Sequence, residues 1–361
     1  MDANTYCPGA DLALRQEAPL TAGGQDNRDK AQRVTMATVG RIAGVSQVTV
    51  SRALSDPSKV APGTLRRIRA AVDATGFVPN ALAGALASRR SHLVSALVPS
   101  IANLTYAAMI HAFGSSLRDA GYQMLLSETG ASPEAEEHAV RLHLSRRPDA
   151  MMLTGVTHSA GARRALIGAD IPVVELWDIS ESPVDFCVGF SHAEAGRAAA
   201  EFAVAQGYRR AAVIYADDER ARRRKAAFAS RFAALTGAEV ADSPLHGAAS
   251  LGAGRAGLSA LLDGPGLGGG GVVFCSSDVA AQGALAEAQA RGLSVPRDVA
   301  VIGFGDQDFA VDTVPPLTTV RVDRERLGRL AAQQLLARIE GTGTTETKYD
   351  LGFELIARAS A

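Results

Sequence analysis

Apolar positions along this chain fall in two textures. Between residues 34 and 79 they recur at helical spacing in short bursts separated by polar turns. From residue 93 onward, short consecutive apolar runs alternate with longer stretches of helical spacing. In the first texture Met36, Val39, Ile42 and Ala43 give one apolar helical face. Thr35 stands where a hydroxyl caps a helix N-terminus, and Gly44 where a left-handed residue ends it. Val45 is the apolar plug of the corner, and Ser46 caps a second helix over residues 47–54. Small Ala43 lets the two helices approach. In the second helix Val50, Ala53 and Leu54 are expected inward, leaving Gln47, Val48, Ser51 and Arg52 outward. A turn-rich break at 55–58 precedes a third helix with Pro62 in its first turn. Leu65, Ile68, Ala71 and Val72 form its inner face, and Gly76 lies just past its end.

The second texture predicts an α/β protein. Strands are expected at 93–99, 122–126, 150–154, 172–176, 210–215, 271–275 and 299–304. Helices are expected at 107–120, 134–145, 160–167, 193–206, 222–235, 255–262, 278–291 and 324–340. Strands alternating with crossover helices imply parallel sheets covered on both faces. The series restarts after residue 190, so it implies two doubly wound lobes in tandem. Ligands of such sheets bind beyond the carboxyl ends of the strands, which here is the cleft between lobes. The resulting division is an extension without periodicity at 1–33, expected to be disordered; a helix-turn-helix domain at 34–79; a joint at 80–92; and a sensor at 93–361. The first lobe takes about 93–190 plus 322–341, and the second 191–321.

Charge turns the first texture into a functional expectation. From Val34 to His92 there are eight Arg and Lys residues against Asp56 and Asp73, a net of +6. The whole chain is −1, so the remainder carries −7. A basic module on a near-neutral chain is the electrostatic footprint of phosphate binding. Double-stranded DNA is therefore the expected partner. Gln47, Val48 and Arg52 would reach base edges, with the guanidinium suited to guanine and the valine to a thymine methyl. Thr49, Ser51, Thr64 and Arg66 would touch phosphates, which position without specifying. Asn80 caps the short run that follows and joins this set.

Other classes are disfavoured. No apolar run reaches the roughly 18 residues of a membrane span, and the start has no basic-then-apolar signal segment. Three separated cysteines (Cys7, Cys187, Cys275) have no metal-ligand spacing, and the expected setting is the cytoplasm. Cys187 and Cys275 lie in apolar, strand-like runs and read as small buried hydrophobes. No nucleophile elbow, His/Asp/Ser constellation, phosphate-binding loop or metal cluster is evident, so neither an enzyme nor a cofactor is expected. Gly252-Ala253-Gly254-Arg255-Ala256-Gly257 spells G-x-G-x-x-G. That fingerprint requires a strand before it and an acidic residue about 20 positions on, and neither is expected here.

The string Val34-Thr35-Met36, Val39, Ala43-Gly44-Val45-Ser46, Thr49-Val50-Ser51-Arg52-Ala53-Leu54 and Gly76-Phe77-Val78-Pro79-Asn80 resembles the headpiece of the lac-repressor/galactose-repressor family. The resemblance covers about residues 34–358. It implies a homodimeric repressor on a pseudo-palindromic operator, with a periplasmic-binding-protein-like sensor of parallel sheets. It also implies a hinge helix within 80–92 that orders on DNA, with Leu86 as the minor-groove wedge and Ala83 one turn before it. The last helix is implied to return to the first lobe.

Within the sensor, Ile171-Pro172-Val173-Val174-Glu175-Leu176-Trp177-Asp178, Ala300-Val301-Ile302-Gly303-Phe304-Gly305, Leu335-Leu336-Ala337-Arg338-Ile339-Glu340-Gly341 and Asp350-Leu351-Gly352-Phe353 look like gluconate-operon repressors. Gluconate or its 6-phosphate is the effector this implies. By the same resemblance Arg224 is the effector-contacting arginine, a residue suited to gripping a carboxylate. Tyr106, Asp178, Ser277 and Arg324 match other pocket positions. Sugar-binding relatives often carry aspartate where Gly305 stands and asparagine where Ser277 stands. Asp306 and Asp308 are the neighbouring candidates to compensate, or are simply loop residues. Another sugar, or an activator or co-repressor-dependent regulator, remains the alternative reading.

Overall fold

The computed structural model describes residues 34–79, 90–130, 132–245, 247–264, 266–267 and 270–361. The expected disordered extension at 1–33 lies outside these residues, as do Asn80, Ala83, Leu86 and most of the expected hinge. The chain divides into two compact units at residue 80.

The first unit is three helices: α1 (Met36–Ala43), α2 (Gln47–Ser55) and α3 (Pro62–Thr75). Thr35 and Thr38 cap α1 reciprocally, each hydroxyl accepting the other's backbone N–H at 3.3–3.4 Å. Gly44 ends α1 at φ +65°, a conformation that favours glycine. Ser46 caps α2 by accepting the Thr49 N–H. The close approach of the two helices is made at Gly40, which the hydrophobic pattern does not single out. A Cβ there would stand 2.8 Å from the Val45 carbonyl oxygen. Val39, Ala43, Val50, Ala53, Ile68, Ala71 and Phe77 form the buried core. Ile42 and Leu54, expected inward, are 51% and 36% exposed, because seven small-to-medium side chains and the turn already close so short a bundle.

The second unit holds two six-stranded sheets among the described residues. The first runs β2 (Gln123–Glu128), β1 (Leu93–Val98), β3 (Ala150–Thr154), β4 (Val173–Leu176), β5 (Phe186–Gly189) and β11 (Lys348–Asp350), all parallel. The second runs β7 (Val240–Leu245), β6 (Ala211–Ala216), β8 (Val272–Cys275), β9 (Ala300–Gly305), β10 (Thr318–Arg321) and β12 (Glu354–Ile356), parallel except for β12.

Eight helices clothe the sheets among the described residues. α4 (Leu104–Asp119), α5 (Pro133–Leu144), α6 (Ala160–Gly168) and α11 (Arg324–Ile339) serve the first. α7 (His192–Ala205), α8 (Glu219–Thr236), α9 (Leu251–Asp263) and α10 (Asp278–Ala290) serve the second. Strand residues alternate between faces as a pleated sheet requires. In β3, Met152 joins Phe113 of α4, while Met151 and Leu153 join Val140 of α5 and Leu166 of α6. In β8, Val272 and Phe274 join Phe228 of α8, while Val273 and Cys275 join Leu258 of α9. Both faces are therefore buried, which is why the central strands read as unbroken apolar runs.

α11 packs on α4, so the last helix does return to the first sheet. The expected lobe limits stop short, however. Beyond residue 341 the chain adds β11 to the first sheet and then crosses back to add β12 to the second. A strand, β7, does precede Gly252, contrary to expectation. Yet the glycines of the G-x-G-x-x-G string lie inside α9 rather than in a strand-to-helix turn. A Cβ on Gly254 would stand 2.1 Å from the Ala280 carbonyl oxygen, so the glycine serves close packing of α9 on α10. No helix among the described residues is long and apolar enough to cross a membrane.

Candidate nucleic-acid face and effector cleft

α2 presents a polar face by construction. Val50 and Ala53 point into the core, and helical spacing then leaves Gln47, Val48, Ser51 and Arg52 exposed. Val48 is 66% exposed on the same face. Thr49 is half-buried, its hydroxyl 2.9 Å from that of Ser46. Thr64 is half-buried at the start of α3, where Arg67 donates to its hydroxyl at 3.4 Å, and Arg66 is exposed. The face is thus one helix of outward, donor-rich side chains on a basic unit.

The six expected cleft residues lie at the carboxyl ends of strands or the helix starts beyond them, and they fall into two groups. Tyr106, Asp178 and Arg224 converge around Trp177, which follows β4. The Tyr106 and Trp177 rings meet edge-on at 5.6 Å, and Trp177 packs edge-on against Phe190 at 6.1 Å. Trp177 is 2% exposed and sits at φ +73°, a strained conformation for so bulky a residue. Asp178 accepts from Ile179 N–H at 2.9 Å and from Arg223 across the cleft. Burial pushes the Asp178 carboxyl up, against the pull of Arg223.

Arg224 is buried with no carboxylate in contact. Its Nη1 donates to His192 Nδ1 at 2.7 Å and its Nη2 to the Ser276 carbonyl at 3.1 Å. Its guanidinium lies 3.9 Å above the Phe304 ring. Burial lowers it to about 10. His192 is held neutral, since burial and then the charge of Arg224 push it well below its ordinary value. Its Nδ1 must accept from arginine, so the proton is on Nε2, which donates to the Trp177 carbonyl at 2.7 Å. A chain of bonds thus runs from Arg224 of the second lobe to the end of β4 in the first. Gly196 sets the position of α8: a Cβ there would stand 2.3 Å from the Arg224 carbonyl oxygen.

Arg324 and Asp306 gather elsewhere, around Gln307. Arg324 donates to Gln307 Oε1 at 2.8 Å and to the Asp306 carbonyl at 3.1 Å. They line a cavity of about 820 Å³ with Leu104, Phe309 and Phe353. The Asp306 carboxylate is taken by Arg321 at 2.6 Å and Arg358 at 2.8 Å. Gly305 stands at φ +125°, where any side chain is strained, so an aspartate does not suit this backbone. Ser277 caps α10, accepting the Ala280 N–H at 3.3 Å beside the carbonyl that Arg224 holds. Gln307 Nε2 donates to Thr105 Oγ1 at 3.3 Å, so the two groups adjoin.

Four residues of the first group were not candidates from sequence: Trp177, His192, Arg220 and Arg223. Arg220 donates to the Tyr106 hydroxyl at 2.6 Å from across the cleft. In sequence it lies in a run, Arg220 to Lys225, that reads as a solvated face. The one available signal was the chain's single tryptophan at the end of a buried strand.

Comparison with known proteins agrees with this division. Residues 34–80 match the bacterial regulatory proteins of the lacI family, and residues 200–361 match a periplasmic binding protein-like domain. The chain is 40% identical over 335 residues to the HTH-type transcriptional regulator GntR of Pseudomonas aeruginosa, covering 91% of this chain and 96% of that one. A LacI-family transcriptional regulator from Silicibacter pomeroyi superposes with a TM-score of 0.84 at 33% identity, over 91% of this chain and 99% of that one. The lac repressor dimer bound to operator and an anti-inducer superposes with a TM-score of 0.79 at 25% identity, over 91% and 99% of the two chains.

Proposed function

Because the chain belongs to the lacI family of bacterial regulatory proteins, we propose that its cleft binds a sugar acid, gluconate or its 6-phosphate, and that occupancy sets its grip on operator DNA. The protein is a DNA-binding transcriptional repressor. The observation that carries the effector reading is Arg224. A buried guanidinium whose contacts are a neutral imidazole, a carbonyl and a ring face lacks the counter-charge that burial normally demands. An aldonate carboxylate supplies it, in a geometry a guanidinium favours. Gly305, which stands where sugar-binding relatives often carry aspartate, adds no further negative charge beside the same ligand.

In this reading two copies of the chain work in the cytoplasm as a dimer, each α2 in the major groove of one half-site. Gln47, Val48 and Arg52 read bases. Thr49, Ser51, Thr64 and Arg66 hold phosphates, and Asn80, Ala83 and Leu86 continue the contact toward the minor groove. The contacts that now bridge the cleft, Arg220 to Tyr106, Arg223 to Asp178 and His192 to Trp177, are those an effector replaces or reinforces. An effector shifts DNA affinity only as far as it prefers one arrangement of the lobes.

The test is anisotropy of a labelled operator duplex titrated with the protein in gluconate, gluconate 6-phosphate, other aldonates or glucose. An operator affinity that moves at least tenfold with gluconate or its 6-phosphate, and not with glucose, is expected. Affinity unchanged by every aldonate removes the effector assignment and leaves the family intact.

A further inference from the structure

The cleft around Trp177 has a chemical bias that its fold class does not require. Every buried polar atom left without a partner there is a hydrogen-bond donor: Trp177 Nε1, Arg220 Nη1 and Arg224 Nε. The acceptors of the same cluster each already hold a donor. Asp178 accepts through both oxygens, the Trp177 carbonyl takes His192, and the Ser276 carbonyl takes Arg224. The three orphans belong to one continuous cluster. Arg220 bonds to Tyr106, Tyr106 meets the Trp177 ring, and Trp177 is tied through His192 to Arg224. Buried donors are rarely left unpaired, and each costs free energy until an acceptor arrives.

We propose that Trp177 and Arg220 are specificity-determining residues that select a ligand by an acceptor-only group, a carboxylate, and reject the hydroxyl that would stand in its place. This rests on the sugar-acid reading above and deepens it. The physical basis is a difference between oxygens. A carboxylate offers lone pairs and no proton, so it satisfies the donors and leaves nothing unpaired. A hydroxyl offers a single oxygen, so it satisfies fewer of the three donors, and its own proton must share an acceptor that already holds one. Sites built this way discriminate far more strongly than apolar pockets do. Trp177 is well placed for the task. Its indole is clamped between Tyr106 and Phe190 and its carbonyl is anchored by His192, so Nε1 points from a fixed ring.

Gluconate and sorbitol form the discriminating pair, since sorbitol carries CH₂OH where gluconate carries its carboxylate. Calorimetric titration of the full-length protein should find gluconate bound at least 100-fold more tightly than sorbitol. Trp177→Phe keeps the ring and deletes the N–H. It should weaken gluconate about tenfold, leave sorbitol within twofold, and so narrow the ratio. Arg220→Met should narrow it in the same sense, and serves if Trp177→Phe does not fold. Trp177 is the chain's only tryptophan, so gluconate should also shift the intrinsic fluorescence of the wild type. Wild type that binds gluconate, with variants that keep its affinity and the sorbitol ratio within twofold, overturns the assignment of these two residues alone. Wild type that binds no aldonate overturns it together with the reading beneath it.

Discussion

The α2 face and the cleft are both polar, and they handle polarity in opposite ways. Gln47, Ser51 and Arg52 stand in water, each free of its neighbours and each in place because the opposite side of one short helix is buried. Arg224, His192 and Trp177 are buried and mutually constrained, with donors left over. An exposed reading face costs the folded state little and takes its affinity from phosphates and base edges. A buried cluster with unpaired donors is held by the surrounding fold, and a ligand that offers acceptors would relieve it. The first arrangement is fit to read a surface. The second is fit to be switched.

That difference can be broken from either side. The largest effect is expected at Gly196→Ala, where the new Cβ meets the Arg224 backbone. Overpacking against backbone should cost about 3 kcal/mol, lower the thermal midpoint of the sensor and abolish the gluconate response. DNA binding by the headpiece helix itself should persist.

Raising pH should act on the sensor alone. His158 is buried between Glu136 at 2.7 Å and Glu175 at 2.9 Å. Burial lowers its pKa, but the two carboxylates outweigh that and raise it to about 9. Its folded value is thus above its ordinary 6.5. The stability it contributes is full below pH 6.5 and lost as pH rises through about 9, on the order of 3 kcal/mol. His192 has the opposite sign: its lowered value makes stability fall as pH drops below 6.5. Residues 34–79 contain no histidine. Chemical denaturation from pH 6.5 to 9.5 should weaken the sensor transition and leave the headpiece transition in place.

Arg224→Met removes a buried cation and its desolvation cost. Unliganded stability should stay level or rise, while gluconate affinity falls by about 2 kcal/mol or more, read by calorimetry beside thermal melting. Arg52→Ala should do the reverse of a buried change: melting unaltered, specific operator binding weaker by about 1–3 kcal/mol, and one operator position relaxed. Equal loss of specific and non-specific affinity would remove Arg52 from the base-reading set. Thr35→Ala deletes half of a capping box and should destabilise the headpiece by about 1 kcal/mol, with the sensor unaffected.

The headpiece was legible because its rules are local. Thr35, Gly44 and Ser46 act on residues three or four positions away, and they stand in the structure as the sequence predicts. What local rules missed there is Gly40, whose smallness is needed only once α2 folds back on it. The central strands were legible because burial on both faces leaves no polar alternation. β7, with Asp242 and Pro244, and the three-residue β11 and β12 carry no such signal; they form because a finished sheet offers them an edge. The cleft was legible only in part. Arg224 and Tyr106 came from resemblance. The partners that define their chemistry lie 32 and 114 residues away, at His192 and Arg220, where no spacing rule reaches. Arg324 and Asp306, also named from resemblance, gather with Gln307, Arg321 and Arg358 in the adjoining group.

In the proposed function, occupancy of the Arg224 cleft and grip on DNA are one coupled equilibrium. Coupling of this kind is reciprocal. Gluconate affinity should therefore be measured calorimetrically on the free protein and on the protein saturated with operator. The two values are expected to differ by the same factor by which gluconate changes operator affinity. Equal gluconate affinity in the presence and absence of operator would contradict it.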